Sequence, residues 1–337
     1  MLFEHLGLRH LRIAAATCAA WAAAAAATAE GWRILSPMRM IGTSLRGTAP
    51  GQYHRPTCLA QLPDGQLCVA DTFNHRIVCL SPHGDPIRLI GILGDGPGEF
   101  RFPRGVACDG QYLYVAETGN CRLQRLSLDG TPQLATGAYG HGAGAFFKPH
   151  GIALIGATVY VADTENHRIS AHDAATLRLC FTFCRKGFGP GLLNHPRGLA
   201  ATPDGELLVC DSSNHRVCTF SASGDLLRSI GSYGAAPGEF AFPQAVAPLG
   251  DCLLVAERRA RLQVCTSAGL PLQVLQLHSA GDLCGLHVRP DAREIYVSGD
   301  RSVHVLAYSS RERKVGAPSS QPHRTTLCAV ACSAVGC

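Results

Sequence analysis

A segment of nine residues recurs along this chain at nearly constant intervals. Residues 161–169 read Val-Ala-Asp-Thr-Glu-Asn-His-Arg-Ile, and residues 69–77 read Val-Ala-Asp-Thr-Phe-Asn-His-Arg-Ile. The acidic residues of the five copies lie 46, 46, 48 and 46 positions apart, at Asp71, Glu117, Asp163, Asp211 and Glu257. Self-similarity with a period of this size is typical of solenoids and propellers.

Each copy has the pattern of a β-hairpin, and a second motif precedes it. A β-rich run ends at the acidic residue, and a second apolar run follows a turn that contains Asn in four copies. Asn favours such turns because it tolerates left-handed backbone angles. The preceding motif contains prolines spaced by 47, 46, 47 and 47 positions, at Pro56, Pro103, Pro149, Pro196 and Pro243. Two motifs locked to one period indicate a true repeat.

Together the two motifs resemble the NHL-repeat family, whose Asn-His-Leu turn reads Asn-His-Arg or Asn-Cys-Arg in this chain. The resemblance covers about residues 33–310. It implies an all-β fold, a six-bladed NHL-type β-propeller with four-stranded antiparallel blades. It is weakly informative about function, because one propeller scaffold hosts many activities.

The strand pattern also predicts how the ring closes. Residues 38–42 match residues 87–91, which form the last strand of the first complete repeat. Residues 282–306 contain three strand patterns that lack a fourth. One early strand and three late strands therefore predict a composite sixth blade, whose closure leaves no open strand edge within the ring. The alternative is that the C-terminal segment supplies the outer strand of this blade.

The predicted organisation is a signal or targeting segment over residues 1–32, the propeller over 33–310 and a flexible, cysteine-containing tail over 311–337. Basic residues precede an uncharged, alanine-rich run over 13–29, which is the order of a secretory signal peptide. An organellar targeting segment and an uncleaved segment are the alternatives. We therefore expect a secreted or secretory-pathway protein, with an organelle as the alternative. We also expect no stable membrane insertion beyond this segment, and a monomeric propeller.

Sixteen cysteines raise the question of a disulfide framework or a zinc site. The sequence has no Cys-x2-Cys pair, since the closest pairs are Cys180/Cys184 and Cys328/Cys332. Most of the others, including Cys68 and Cys79, lie in apolar runs, where cysteine behaves as a small buried hydrophobe. We expect most of them to be free thiols, an expectation that a secretory route would weaken.

The recurring carboxylates and arginines are expected to serve the scaffold. An Arg beside a carboxylate at a hairpin end forms a bridge that fixes the turn or ties blades together. Residues that are the same in nearly every blade do not define one asymmetric site. This structural set is Asp71, Arg76, Glu117, Arg122, Asp163, Arg168, Asp211, Arg216, Glu257 and Arg261. The turn residues His75, His167 and His215 fall in different blades, too far apart to share a metal ion, and are expected to be solvated.

The residue after each repeated proline differs from blade to blade, as a single asymmetric site requires. It begins the innermost strand and should point to the mouth of the central channel. With the cations beside them, these positions give the predicted ligand-binding set: Arg55, Thr57, Arg101, Arg104, Lys148, His150, Arg197 and Gln244. The set predicts a basic rim, and the net charge of +5 permits an anionic partner without demanding one.

The same arrangement resembles the peptidyl-hydroxyglycine amidating lyase, for which the resemblance implies a zinc ion held by histidines that follow such prolines in three blades. Here only His150 fits, because Arg104 and Arg197 stand at the other positions and cationic side chains do not ligate zinc. No Ser-His-Asp order, phosphate loop or paired-carboxylate motif stands out. We therefore predict no catalytic residue, no metal site and no cofactor, and a lyase-like zinc enzyme is the least favoured function.

The favoured function is a non-enzymatic interaction module that engages a protein or peptide through the basic channel mouth, whose positive potential would attract acidic groups. An RNA-binding NHL propeller is one alternative. Aromatic side chains for base stacking are sparse on these loops, because Tyr53, Phe100, Phe146 and Phe240 have the pattern of buried anchors. A ubiquitin-ligase-associated NHL protein is the other alternative, and it rests on family analogy alone.

Overall fold

The computed structural model describes residues 32–43 and 45–310, which form six four-stranded antiparallel sheets. This confirms the all-β, six-bladed NHL-type propeller. The predicted targeting segment, apart from its last residue, and the predicted tail lie outside the described residues. Within the part of the chain that the structure describes, no helix is both long and apolar enough to span a bilayer.

The strands follow the sequence repeats, and each complete blade runs in chain order from its inner to its outer strand. Blades 1 to 3 comprise β2 (Pro56–Gln61), β3 (Leu67–Asp71), β4 (Arg76–Leu80) and β5 (Pro86–Ile90); β6 (Pro103–Cys108), β7 (Tyr112–Glu117), β8 (Arg122–Ser127) and β9 (Pro132–Thr136); and β10 (Pro149–Ile155), β11 (Thr158–Asp163), β12 (Arg168–Asp173) and β13 (Leu179–Phe183). Blades 4 to 6 comprise β14 (Pro196–Ala201), β15 (Leu207–Asp211), β16 (Arg216–Phe220) and β17 (Leu226–Ile230); β18 (Pro243–Leu249), β19 (Cys252–Glu257), β20 (Arg261–Thr266) and β21 (Pro271–Gln276); and β22 (Gly285–Arg289), β23 (Glu294–Ser298), β24 (Val303–Ser310) and β1 (Trp32–Ile41). Short 3-10 turns cover Thr72–Asn74, Thr164–Asn166, Ser212–Asn214 and His278–Ala280.

The repeated acid and the repeated proline lie on the same face of the ring. In blade 1, Pro56 at the start of the inner strand is the register partner of Asp71 at the end of the second strand. The same pairing joins Pro149 to Asp163 in blade 3. We call this side the proline face. The turns between third and fourth strands lie on the opposite face, because the strands are antiparallel.

Aromatic anchors hold the connections between blades. Tyr53, Phe100, Phe146 and Phe240 are at most 1% exposed, as their pattern predicted. Phe100 packs against Gly91, where an added Cβ would lie 2.2 Å from the ring and where φ is +83°. Both the close approach and the left-handed backbone therefore require glycine at this point.

The ring closes through β1, which occupies the outer position of blade 6 beside β24. The strand is longer than the predicted 38–42, with register shifts on either side of Ser36 and Pro37. A proline is tolerated there because β1 is an edge strand with one side free of ladder bonds. The alternative, in which the C-terminal segment supplies the outer strand of this blade, is therefore wrong, because β1 occupies that position. The predicted tail itself lies outside the described residues.

Ile41→Ala and Leu35→Ala should each lower the free energy of unfolding by about 2–4 kcal/mol, because both side chains of β1 are buried against blade 6 or its neighbours. Met38→Ala on the same strand is the control, since Met38 is 56% exposed. Urea denaturation measures all three. If the two buried positions behave like Met38, β1 does not close the ring.

Candidate functional site

In blades 1 to 5, a buried carboxylate organises the turn after the second strand on the proline face; β23 of blade 6 ends at Ser298 instead. In blade 3, Asp163 is fully buried and accepts hydrogen bonds from the backbone N of Phe147 at 2.7 Å, from Asn166 Nδ2 at 2.8 Å and from Arg168 Nε at 2.8 Å. Equivalent contacts surround Asp71, Glu117 and Asp211.

Blade 5 varies this carboxylate network. Its turn is one residue shorter and lacks the Asn; Gln263, the counterpart of Gln124 in blade 2, donates to Glu257 at 2.8 Å, while Arg261 Nε lies 3.6 Å from that carboxylate.

The arginine of each network also holds the connection from the preceding blade. The guanidinium of Arg168 donates to the carbonyl oxygens of His141, Gly142 and Ala145, which lie between β9 and β10. Burial raises the pKa of Asp163, and the hydrogen bonds from Phe147, Asn166 and Arg168 oppose this rise. The carboxylate thus satisfies donors that would otherwise be buried without partners.

The turn histidines link neighbouring blades. His75 Nδ1 accepts the backbone N–H of Phe102 at 3.0 Å, and His167 and His215 accept from residues 195 and 242 in the same way at 3.1 Å. Their backbones are left-handed, with φ of 56–57°. These side chains were predicted to be solvated, but the structure places them as neutral acceptors at blade junctions. Burial lowers the pKa of each ring.

Six side chains converge where the channel narrows at the proline face, and we call this constriction the neck. They are Thr57, Arg104, His150, Arg197, Gln244 and Cys284, one from the same position of each blade. The cavity there is about 30 Å³, enough for a single small group. Sequence reasoning missed Cys284 because blade 6 lacks the proline, although aligning Cys284-Gly285-Leu286 with the Arg-Gly-Leu of blade 4 would have found it.

Hydrogen bonds order the neck. Arg104 Nη1 lies 3.3 Å from His150 Nε2 and must be the donor, so this imidazole is neutral. Arg197 Nη1 donates to Gln244 Oε1 at 2.6 Å, and Thr57 Oγ1 donates to the carbonyl of Arg104 at 2.9 Å. Four of the six side chains are less than 9% exposed: Thr57, His150, Gln244 and Cys284. The predicted rim is therefore set inside the channel mouth.

The neck is cationic and poorly compensated. Burial and then the charges of Arg258 and Arg104 lower the pKa of Arg197 to about 10. Burial lowers the pKa of Arg104 as well. Among the described residues, neither guanidinium has a carboxylate within ion-pair distance. Burial and the three cations around it hold the pKa of His150 well below the usual range.

The remaining predicted cations lie outside the neck. Arg55 Nε is 3.7 Å from Asp300, and Lys148 Nζ is 3.3 Å from Glu165. Arg101 is exposed and lies one residue out of register, since Phe102 occupies the position before the proline. The outer rim is therefore less basic than its residue types suggested.

Exposed aromatic side chains on the proline face were also missed by sequence reasoning. Tyr139, Phe188 and Tyr233 are 66%, 77% and 71% exposed on the loops that join consecutive blades. Tyr233 packs on His215 with ring centroids 4.6 Å apart, and Tyr139 packs on Phe147 at 5.1 Å. The available signal was their position: Tyr139 and Tyr233 each lie two residues after the glycine that follows the outer strand, and Phe188 lies four residues after Cys184 in the corresponding loop.

The neck does not fit a zinc ion of the lyase type. His150 Nε2 accepts from Arg104, and the equivalent positions carry guanidinium groups, which repel a cation. Within residues 32–43 and 45–310, no cluster of three or more His, Cys, Asp or Glu side chains is arranged to hold a metal ion. Beyond the neck the channel widens into an apolar cavity of about 720 Å³ that opens toward the opposite face.

Comparison with known proteins supports the repeat assignment. The family model for the NHL repeat matches residues 53–80 and 193–220. The chain is 51% identical over 57 residues to the RING finger protein nhl-1 of Caenorhabditis elegans; the match covers 17% of this chain and 6% of that protein.

Solved propellers share the fold at low identity. A gluconolactonase from Xanthomonas campestris is similar with a TM-score of 0.60 and 15% identity, over 82% of this chain and 98% of that one. A catalytically inactive virginiamycin B lyase from Staphylococcus aureus, solved with quinupristin, gives a TM-score of 0.55 and 17% identity, over 78% and 82% of the two chains. At these identities the likeness shows the fold alone.

Arg168→Met should lower the free energy of unfolding by about 3 kcal/mol or more, because it leaves the buried Asp163 without its cation. Arg178→Met, at an exposed position on the opposite face of the same blade, is the matched control. Urea denaturation at neutral pH measures both. Equal midpoints for the two variants would contradict a scaffold role for the network.

The buried histidines should destabilise the fold increasingly as the pH decreases from about 6.5 toward 4. Burial lowers the pKa of His287 to about 4 and also lowers those of His150 and His172. The unfolded chain, with ordinary histidine pKa values of about 6.5, therefore binds more protons in this window. His287→Gln should show a shallower dependence of the urea midpoint on pH than the parent protein. The exposed His83→Gln should follow the parent; a parallel slope for both variants would refute the assignment.

Proposed function

Because this chain is a six-bladed propeller that carries NHL repeats, we propose that it is a non-enzymatic interaction module that binds acidic peptides at the channel mouth of the proline face. The observation that carries the proposal is the pair Arg104 and Arg197, whose guanidinium groups enter the neck without a carboxylate partner among the described residues. Desolvated cations of this kind gain most from an incoming anion.

The chemistry of the neck favours a carboxylate. Each guanidinium presents several N–H donors in a planar fork that matches the two oxygens of a carboxylate. Arg104 and Arg197 each use one Nη1 contact within the neck, which leaves donors for a ligand. A cavity of about 30 Å³ admits one small group and excludes a nucleobase or a helix. An Asp or Glu side chain, or a chain terminus, would enter while the rest of the peptide lies across the face.

The surrounding face supplies apolar contacts for such a peptide. Tyr139, Phe188 and Tyr233 stand exposed on consecutive blade junctions. Aromatic side chains and arginines are the residue types that dominate binding at protein interfaces. The combination of a buried cationic centre and an aromatic periphery resembles the organisation of such interfaces.

Arg104→Gln and Arg197→Gln should each weaken binding of a fluorescent oligoglutamate peptide by about tenfold or more, since each removes a charge-assisted hydrogen bond. Fluorescence anisotropy at fixed salt measures the affinity. Arg178→Gln on the opposite face is the control, because it makes the same change of net charge away from the neck.

A uniform loss in all three variants would mean that only net charge matters. Unchanged binding by the folded Arg104→Gln, Arg197→Gln double variant would exclude the neck as the peptide site. Thermal melts establish that the variants are folded.

Single-stranded RNA is the second candidate, and one observation favours it. Cations lie over aromatic rings on the proline face: Lys148 Nζ is 5.4 Å from the ring centroid of Phe147, and the Arg258 guanidinium is 5.2 Å from that of Phe242. Partly exposed rings beside cations suit base stacking and phosphate contacts. If RNA is the ligand, alanine at Tyr139, Phe188 and Tyr233 should abolish binding of an oligouridine, and affinity should fall steeply with salt.

Ubiquitin-ligase association stays a family-level analogy. The match to the RING finger protein spans 6% of that protein. The rest of that protein therefore supports no inference about this chain. Secretion and the signal peptide remain predictions.

A further inference from the structure

Two cysteines of blade 1 face each other across neighbouring strands. Cys68 on β3 and Cys79 on β4 are direct register partners, and their Sγ atoms are 3.3 Å apart. Directly opposed residues of an antiparallel pair have Cα atoms about 4.5–5.5 Å apart. This separation lies within the range of about 4.4–6.8 Å that a disulfide spans. The backbone is therefore already in a geometry that a bond between the two sulfurs needs.

The other buried cysteine pairs are out of register. Cys252 lies opposite Thr266, while Cys265 lies opposite Leu253. Cys210 lies opposite Val217, while Cys218 lies opposite Val209. All three pairs are buried and close in sequence. Among these three, only Cys68 and Cys79 lie directly opposite each other.

The surroundings divide the two thiols into a nucleophile and its partner. Arg88 Nη2 lies 3.7 Å from Cys79 Sγ, and the two residues are register partners on β4 and β5, so this contact forms within blade 1 and does not depend on blade 2. The hydrogen bond from Cys68 and the charge of Arg88 lower the pKa of Cys79 to about 7 against the effect of burial. The same hydrogen bond and burial raise the pKa of Cys68. A neighbouring cation of this kind favours the reactive thiolate.

We propose that Cys68 and Cys79 form a cross-strand disulfide while the chain folds, with a small-molecule disulfide of the glutathione class as the oxidant. The Cys79 thiolate attacks one sulfur of the oxidant, forms a mixed disulfide and releases one glutathione thiolate. Cys68 then loses its proton and attacks the Cys79 sulfur, which expels the second glutathione thiolate. The protein gains one S–S bond and loses two hydrogens, and the oxidant is reduced to two thiols.

Burial sets the timing of this reaction. Cys68 and Cys79 are fully buried in a cluster that includes Val106 and Leu113 of blade 2. Glutathione cannot reach either sulfur once the two blades have packed. The exchange therefore precedes packing of blade 2, and the finished bond is shielded from reductants.

The test uses the full chain, unfolded and reduced, then refolded in a mixture of reduced and oxidised glutathione. Remaining thiols are alkylated and the protein is digested with trypsin, which cuts after Arg76 between the two cysteines. The expected product is a disulfide-linked pair of peptides, residues 47–76 and 77–88. Cys58 shares the first peptide, so the link should persist in Cys58→Ser and vanish in Cys79→Ser.

Two further measurements bear on the proposal. Oxidised protein should melt at a higher temperature than reduced protein, a difference that Cys265→Ser retains and Cys79→Ser loses. Reduced protein that is already folded should form the link more slowly than refolding protein; equal rates would overturn the proposed order of events. Refolded protein with a normal melt and both thiols alkylated, or with Cys68 bound to Cys58 or Cys108 instead, would overturn the disulfide.

Discussion

The buried carboxylate at the end of the second strand of blades 1 to 5 is the interaction on which the architecture depends. It gathers a backbone N–H, a side-chain amide or its substitute, and a guanidinium, and the guanidinium extends to carbonyls of the preceding connection. A carboxylate in this position would be costly to bury without these donors. Because its partners come from both the turn and the connection between blades, one charge fixes the hairpin and the arrival of the chain from the neighbouring blade together.

The difference between residues that repeat in the blades and residues that do not explains which parts of the molecule could be predicted from sequence. The period, the hairpins and the composite closing blade follow from residues that repeat, and a repeated residue has one physical role in every blade. The neck residues do not repeat. Their positions could be predicted from the repeat, but their hydrogen-bond and ion-pair partners could not. The pairing of Lys148 with Glu165 and of Arg55 with Asp300 depends on side chains from other turns, which no local pattern reveals.

The histidine junctions show the same limit of prediction from local sequence patterns. The Asn-His-Arg turn is local and readily recognised, yet the acceptor role of His75 toward Phe102 joins residues in consecutive blades. The donor is available because its residue adopts a left-handed backbone before the proline. A hydrogen bond between two turns, each unremarkable alone, is a property of the ring and appears only when the blades are assembled. Blade 2 carries Cys121 at the histidine position and makes its junction differently.

The composite blade has a consequence for how the chain reaches its native state. Arg39 of β1 is the register partner of Val305, so the two halves of one sheet are separated by almost the entire propeller in sequence. Loop closure over such a distance is slow. The contacts between β1 and β24 can form only after both strands have been synthesised. During synthesis, which proceeds from the N-terminus, β1 must remain unpaired while five blades emerge. Leu35 and Ile41, which are buried in the folded protein, are then exposed apolar side chains on an unpaired strand. A chaperone, or another copy of the nascent chain, would meet this strand before β24 does.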